Sequence, residues 1–442
     1  MEAAQDSITH LQHLYSENPR LKEAVTPMVA GIVAEYNPFH KGHEWMISML
    51  RRGGVETVVC VMSGSFVQRA EPAVMPAHVR AKAAIAGGAD LVLRLPVPWA
   101  AASAEGFAQG AVGLLGALGC VDLLAFGAET DDIDKLANVA ELLLIDDFPS
   151  LVRAELADGR SYAAARAAAA ERLMPGAGEI LRKPNNILAV EYCKALRGSV
   201  RDALRGMLPV GTFSYALPIP LALPRVGAAH DGAPHDGYAS ASWLRAAVER
   251  EGLAALGPFV PADCLPIYAK AAAAGEMIDT ARWEAAVLSR LRGLAPIDFA
   301  LHPGAGEGLE NRLAEAARLS TTLDELFARA KTKRFAHSRV RRLALSTALD
   351  LPASPGVVPP FAQVLAANEA GIALLRRIKF DGLLPVSTSL AKLARSGQHA
   401  AGVVKIEAAA EDLYALCQKH PAPGGGAFTR PASLTRQKMN NP

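Results

Sequence analysis

The chain has 442 residues, with 46 Lys and Arg against 44 Asp and Glu and a net charge of +2. A hydrophobic content of 51% with 20% charged residues is the balance of a globular protein with a substantial core, and the length predicts two or three domains. The near-neutral charge excludes a globally basic nucleic-acid binder, so any such surface has to be local.

Residues 1–27 read as a short helical extension, from Ile8 through Tyr15 and again near Leu21. Glu2, Asp6 and Glu17 interrupt it and no apolar h-region is present, so no signal peptide is expected. No run approaches 18 uncharged apolar residues, so no membrane span is expected either. From 28 to about 145, strand-like apolar runs at 28–36, 56–62, 90–95 and 121–126 alternate with helical stretches at 43–52, 77–87 and 103–118. That alternation predicts an α/β fold, a Rossmann-like parallel sheet built by right-handed crossovers. In such sheets the ligand crevice lies beyond the strand C-termini. There the sequence places Asn37 to His43, Ser63 to Arg69, Pro96 to Pro98, and Gly127 to Glu129, all polar or rich in Gly and Pro.

The turn after the first strand is the most informative of these. Asn37-Pro38 breaks the strand, and a helix restarts after Gly42 with Trp45, Met46 and Met49 on one face. His40 and His43 therefore sit at a helix N-terminus, where orphan N–H groups and the helix dipole favour an anion. Two imidazole donors add to it, and Gly42 lets a phosphate approach, so a nucleoside triphosphate is the natural guest. The plain alternative is a pair of loop histidines satisfied by local hydrogen bonds.

Farther along, Arg69 suits a phosphate or carboxylate, or pairs with Glu71 on the surface. Ser103 reads as the N-cap of the third helix. Residues 146–205 look helical and alanine-rich, with Lys183-Pro184-Asn185-Asn186 opening a helix; Asn185 serves as cap, as nucleotide ligand, or as both. The proline-rich stretch 209–224 is a connection or an extra strand. At Ser240-Ala241-Ser242-Trp243-Leu244-Arg245 a helix begins, with Ser242 either a plain N-cap or a phosphate contact beside Arg245. Helices are expected at 284–293, 307–319, 322–331 and 336–349, the third opened by a Thr322/Glu325 capping box. Lys331, Lys333, Arg334, Arg339, Arg341 and Arg342 place six positive charges in 12 residues with no acid among them. Such a run is a solvated helix face or a contact to an RNA backbone. After a linker at 352–360 come a strand and helix over 361–379, a helix from Gly402 to Cys417, and a Gly/Pro-rich tail expected to be disordered. The expected division is an extension (1–27), a nucleotide-binding domain (28–250), a helical basic region (251–350), a small α/β subdomain (351–420) and the tail (421–442). Cys60, Cys120, Cys193, Cys264 and Cys417 are scattered with no C-x-x-C, which argues against a zinc site or a disulfide framework and for reduced thiols in the cytoplasm.

The string Val33-Ala34-Glu35-Tyr36-Asn37-Pro38-Phe39-His40-Lys41-Gly42-His43 resembles the bacterial tRNA(Met) cytidine acetate ligase family, a branch of the HxGH nucleotidyltransferase superfamily. The resemblance continues over roughly 28–420. The loop 63–72 is similar to the family's Ser-Gly-Asn-Phe-x-Gln-Arg-Gly-Glu-Pro, with Ser65 and Ala70 as departures. Phe126-Gly127-Ala128-Glu129 resembles Phe-Gly-Ser-Glu, and Lys183 to Leu188 matches Lys-Pro-Asn-Asn-Ile-Leu. Arg225 begins a shortened Arg-x-x-x-x-Tyr-His-Asp that lacks the tyrosine before His230. The 240–245 string resembles Ser-Ser-Thr-x-Ile-Arg, and 308–312 and 331–334 match further family strings in order.

The family would then assign ATP contacts to the eleven residues of the first string and to Gly127, Asn185, Arg225, Ser242 and Arg245, with His40 and His43 catalytic. The implied reaction activates acetate with ATP as acetyl-AMP, releasing pyrophosphate, and acetylates N4 of the wobble cytidine of elongator tRNA(Met). The implied tRNA contacts are the six basic residues of 331–342. Magnesium is expected on the phosphates on charge grounds, and no stable protein partner is expected. Two other functions compete: adenylylation of a phosphorylated small molecule, and non-catalytic nucleotide or RNA binding.

Overall fold

The computed structural model describes residues 27–208, 215–225 and 233–435. The expected extension over 1–26 and the His230 region lie outside the described residues. The strands are β1 (Val29–Ala34), β2 (Thr57–Ser63), β3 (Phe66–Val67), β4 (Glu71–Pro72), β5 (Leu91–Leu95), β6 (Leu123–Ala128), β7 (Ile219–Pro224), β8 (Ala362–Ala367), β9 (Val386–Ser387) and β10 (Ser433–Leu434). One sheet runs β10-β8-β5-β2-β1-β6-β7, with β9 on β8, while β3 and β4 form a small hairpin.

From β5 across to β7 every pairing is parallel. These strands are near-continuous apolar runs because both faces are covered, as a parallel sheet with helices on each side requires. β2 is buried throughout, and its side chains alternate: Val59 and Val61 pack into the core on one face, Val58, Cys60 and Met62 into the other. The chain steps outward from β1 to β2 to β5, then returns to lay β6 and β7 on the other side of β1. The strand order therefore reverses between β1 and β6, and their C-terminal ends flank the crevice.

The helices Lys41–Arg52, Ala77–Ala86 and Ala104–Ala117 stand where the periodicity places them, and Ser103 caps the third by accepting from Gly106 N. Thr280–Arg292, Leu309–Leu319, Leu323–Ala330 and His337–Ala348 build a separate helical core around Leu291, Phe299, Leu313 and Leu343. The β3–β4 hairpin reaches into it through Phe66. At Thr322 the capping is one-sided: its hydroxyl accepts from Glu325 N, while the Glu325 carboxylate turns to Thr321.

Two expectations are corrected. The strand near 361 founds no subdomain of its own: β8, buried at all six positions, pairs antiparallel with β5 and widens the first sheet. The tail is ordered as far as 435, with a short helix at Gly426–Thr429 and β10 paired to Ala366 and Ala367, so backbone pairing holds it despite its Gly/Pro content. Within 209–224 the extra-strand alternative holds: residues 219–224 form β7, which pairs parallel with β6.

A buried ion triad locks the C-terminal helix Gln398–Leu416 to β5. Arg94 lies 2.6 Å from Glu411 and also bonds Glu407, whose other oxygen accepts from Val97 N at 2.7 Å. All five cysteines are free and buried. Among the described residues no helix is long and apolar enough to cross a membrane.

Candidate active site

Beyond β1 the chain turns through Tyr36, a buried residue at φ 47°. The turn is clamped by long-range bonds. Asn37 Oδ1 accepts from Val74 N at 2.9 Å, and Phe39 N donates to the Tyr268 hydroxyl at 3.0 Å. His40 then caps the Lys41–Arg52 helix reciprocally: its Nδ1 accepts from Gly42 N (3.1 Å), and His43 Nδ1 accepts from His40 N (3.2 Å). The rings stack at 3.7 Å.

This cap sets the chemistry of both imidazoles. A backbone N–H only donates, so each Nδ1 is unprotonated and the ring proton sits on Nε2. Burial, with Arg225 nearby, lowers the His40 pKa to about 3. Burial, then His40 and Arg225, holds His43 well below its usual value. The pair is neutral at pH 7 and offers two Nε2–H donors.

The expected orphan amides, by contrast, are already used. Lys41 N donates to Phe259 O, Gly42 N to the His40 ring, and His43 N and Glu44 N to His40 O. An anion at this turn meets imidazole rather than backbone. The local-hydrogen-bond reading of the histidines is thus true of Nδ1 and leaves Nε2 for a ligand.

A cleft of about 1420 Å³ opens over this turn. Of the residues the resemblance named for ATP, Val33, Ala34, Glu35, Tyr36, Asn37, His40, Gly42, His43, Gly127, Asn185, Arg225, Ser242 and Arg245 line it. Pro38, Phe39 and Lys41 do not line it. Phe39 is fully buried under the turn, and the Lys41 ammonium points away to Pro258 O at 2.7 Å.

At the β6 side, Glu129 caps the Pro184–Arg197 helix from outside, accepting from Asn185 N, Asn186 N and the Asn185 side chain. Partial burial works to raise the Glu129 pKa, but these bonds prevail and lower it. Asn185 is therefore the capped residue, not the cap. Its Oδ1 accepts from Arg225 at 2.9 Å, which ties two expected ATP contacts together. Asn185→Ala is expected to raise the KM for ATP about tenfold, with kcat within a factor of two, in steady-state exchange kinetics. That is the size of one lost ligand hydrogen bond with its partners left unpaired.

The start of the Ala241–Glu251 helix carries a further correction. Ser240, not Ser242, caps the Ala241–Glu251 helix, through Trp243 N at 3.2 Å. Ser242 sits in the first turn on the cleft wall, one turn before Arg245. Arg245 donates to Asn37 O at 3.1 Å and lies 3.5 Å from Glu71, which also holds Arg341 at 2.5 Å. The Ser242/Arg245 helix and the basic helix His337–Ala348 thus meet at one carboxylate of the β3–β4 hairpin.

The six cations of 331–342 do not form one patch. Arg334 and Arg339 pair with Glu307, an acid outside the run, at 3.4 and 2.9 Å. Arg341 and Arg342 turn into the cleft. Lys331 and Lys333 remain exposed.

Arg80 was not singled out by the sequence. Fully buried, it donates to Met75 O, to Glu35 O, and to Ser63 O and Gly64 O, tying the ends of β1 and β2 together. All its partners are backbone carbonyls, and no side-chain pattern signals those.

Neutral imidazole donors, a hydroxyl and a fixed guanidinium around a switch-point cleft are suited to holding a triphosphate whose pyrophosphate departs. A sheet of this order with this turn is that of a HIGH-type nucleotidyltransferase, and the family model described as HIGH Nucleotidyl Transferase matches residues 28–425. The tRNA(Met) cytidine acetate ligase of Acetivibrio thermocellus is 33% identical over 91% of this chain and 98% of its own length. That of Caldanaerobacter subterraneus subsp. tengcongensis is 32% identical over 88% and 95%. The crystal structure of Thermotoga maritima TmcAL bound with alpha-thio ATP is similar at a TM-score of 0.82, with 28% identity, covering 92% of this chain and all of that one. The chain belongs to the tRNA(Met) cytidine acetate ligase family of HIGH nucleotidyl transferases.

Proposed function

We infer that this protein is an ATP-dependent ligase that joins acetate to AMP, releases pyrophosphate, and transfers the acetyl group to N4 of the wobble cytidine of elongator tRNA(Met). The observation that carries this reading is the reciprocally capped His40/His43 pair at the β1/β6 crevice, in a chain that matches its family from 28 to 425. Adenylation needs no covalent nucleophile from the protein. An acetate oxygen attacks the α-phosphate in line, and the site's work is alignment and neutralisation of charge on the leaving pyrophosphate. The two Nε2–H groups, Ser242 and Arg245 supply that neutralisation, while Gly127, Asn185 and Arg225 hold the nucleoside end. Magnesium would ride on the phosphate oxygens themselves, with no carboxylate of the protein assigned to it. Free buried thiols and a tRNA substrate fit a cytoplasmic enzyme.

The test is ATP–pyrophosphate exchange with and without acetate, followed by acetylation of the tRNA. Exchange independent of acetate would instead indicate another acceptor, and no exchange with folded protein and tRNA would indicate a binding module. Arg342 gives the tRNA half its own prediction. It lines the cleft, its Nε has no partner among the described residues, and burial alone lowers its pKa to about 10. Arg342→Ala is expected to weaken tRNA binding and to reduce the slope of log affinity against log salt by about one, read by filter binding from 50 to 200 mM salt.

A further inference from the structure

We propose that Glu35 is the general base of the acetyl-transfer step, removing the proton from the attacking cytidine amine; this rests on the ligase reading above. The two half-reactions differ in their proton balance. Acetate enters as a carboxylate and attacks phosphorus with nothing to lose, so adenylation asks for no base. In the second step the N4 lone pair adds to the acetyl carbonyl and a C–N bond forms. The C–O bond to the adenylate phosphate breaks, its electron pair leaving with AMP. One N4 proton has to go to an acceptor.

The histidines cannot take that proton. Each Nδ1 is occupied by a backbone N–H and each Nε2 already carries its hydrogen. Among the other cleft-lining carboxylates, Glu191 is paired with Arg166 at 2.5 Å and Lys194 at 3.1 Å, and Glu105 with Lys194 at 2.7 Å. Asp146 lies exposed on the loop after Ile133–Leu142.

Glu35 follows directly on β1 and makes no ion pair within 4 Å among the described residues. It is also held in place. Its Oε1 accepts from Gln68 N at 2.9 Å, and its carbonyl is gripped by the buried Arg80. One carboxylate oxygen is fixed and the other is left for a substrate proton.

The charged and titratable groups around it are Arg245 from the Ala241–Glu251 helix, Arg69 and Glu71 from the hairpin, Arg80 beneath and Tyr192 across the cleft. Burial is the dominant influence and raises the Glu35 pKa above the ordinary carboxylate value, with Arg245 opposing it. A base whose proton affinity moves toward the working pH transfers protons more effectively.

The experiment compares wild type with Glu35→Gln, which keeps an acceptor for Gln68 N. Two rates are followed from pH 5 to 9: acetate-dependent ATP–pyrophosphate exchange, and single-turnover transfer from supplied acetyl-AMP to tRNA. Circular dichroism and melting establish that the variant folds. The expected result is a fall in transfer about 10²-fold or more greater than any fall in exchange. The wild-type transfer rate declines on the acid side as Glu35 protonates, and in the variant that limb disappears. Equal losses in both rates, or a variant that keeps the acid limb of transfer, would overturn the assignment. Wild-type protein that shows neither acetate-dependent exchange nor transfer would instead remove the ligase reading and Glu35's role with it.

Discussion

Acetate-dependent ATP–pyrophosphate exchange is expected to fall about 10²- to 10³-fold in His43→Ala, the range for removing one preorganised donor to developing charge. The size follows from the state of the ring. His43 is neutral and its Nε2–H is available because Nδ1 is committed to His40 N. Little reorganisation is then needed when pyrophosphate charge develops. Alanine also frees His40 N and unstacks the 3.7 Å ring pair, so the variant's melting temperature has to be read alongside its rate. The same burial has a stability signature without nucleotide. A histidine whose folded pKa is depressed resists protonation that the unfolded chain accepts. Stability contributed by His40 is therefore lost as pH falls from about 6.5 toward about 3, and thermal melts over that window should show the loss, with ATP protecting.

Arg94→Met is expected to cost about 3–5 kcal/mol of stability at pH 7, read by urea or thermal unfolding. Arg94, Glu407 and Glu411 are 5%, 1% and 8% exposed, so the substitution strands two carboxyls beside each other away from water. The pH dependence should then invert. In the wild type burial works against ionised Glu411, but Arg94 prevails and holds its pKa down, so its share of stability is lost as acid protonates it. Without Arg94 both carboxyls have raised folded pKa values, which favours the folded state at low pH and penalises it as pH rises through their titration. The variant should therefore recover part of its deficit near pH 5. Removing both acids as well, as in Arg94→Met with Glu407→Gln and Glu411→Leu, should recover more than Arg94→Met alone keeps.

Where the sequence was legible, one local signal decided the structure. A continuous apolar run broken by Asn37-Pro38 marked a strand with a ligand edge, and His-x-Gly-His marked a helix start, whereas Gly127, read as following its strand, lies inside β6. The difficulties came from partners that spacing does not reveal. Ser240 and Ser242 are equally good caps on paper, and only the direction of chain entry, with Ser240 extended at ψ 151°, makes the first of them the cap. Lys41 lies within the motif yet turns outward, since a helix's first residues project to different sides. The basic run looked unpaired because its acids, Glu71 and Glu307, come from other elements. β8 reads as an independent strand because its partner, β5, lies some 270 residues earlier, too far for any local pattern to report.

That long-distance pairing means the nucleotide-binding half is not a detachable module. A fragment ending before Ala362 would be born with β5 as an open margin. Leu91, Val92, Leu93 and Leu95, all at 0% exposure in the whole chain, would offer an unpaired apolar ladder to any neighbouring copy. Arg94 would lose both of its acids in the same cut. On the ribosome, the first half of the protein has to wait, unfinished and adhesive, until the last quarter of the chain is made.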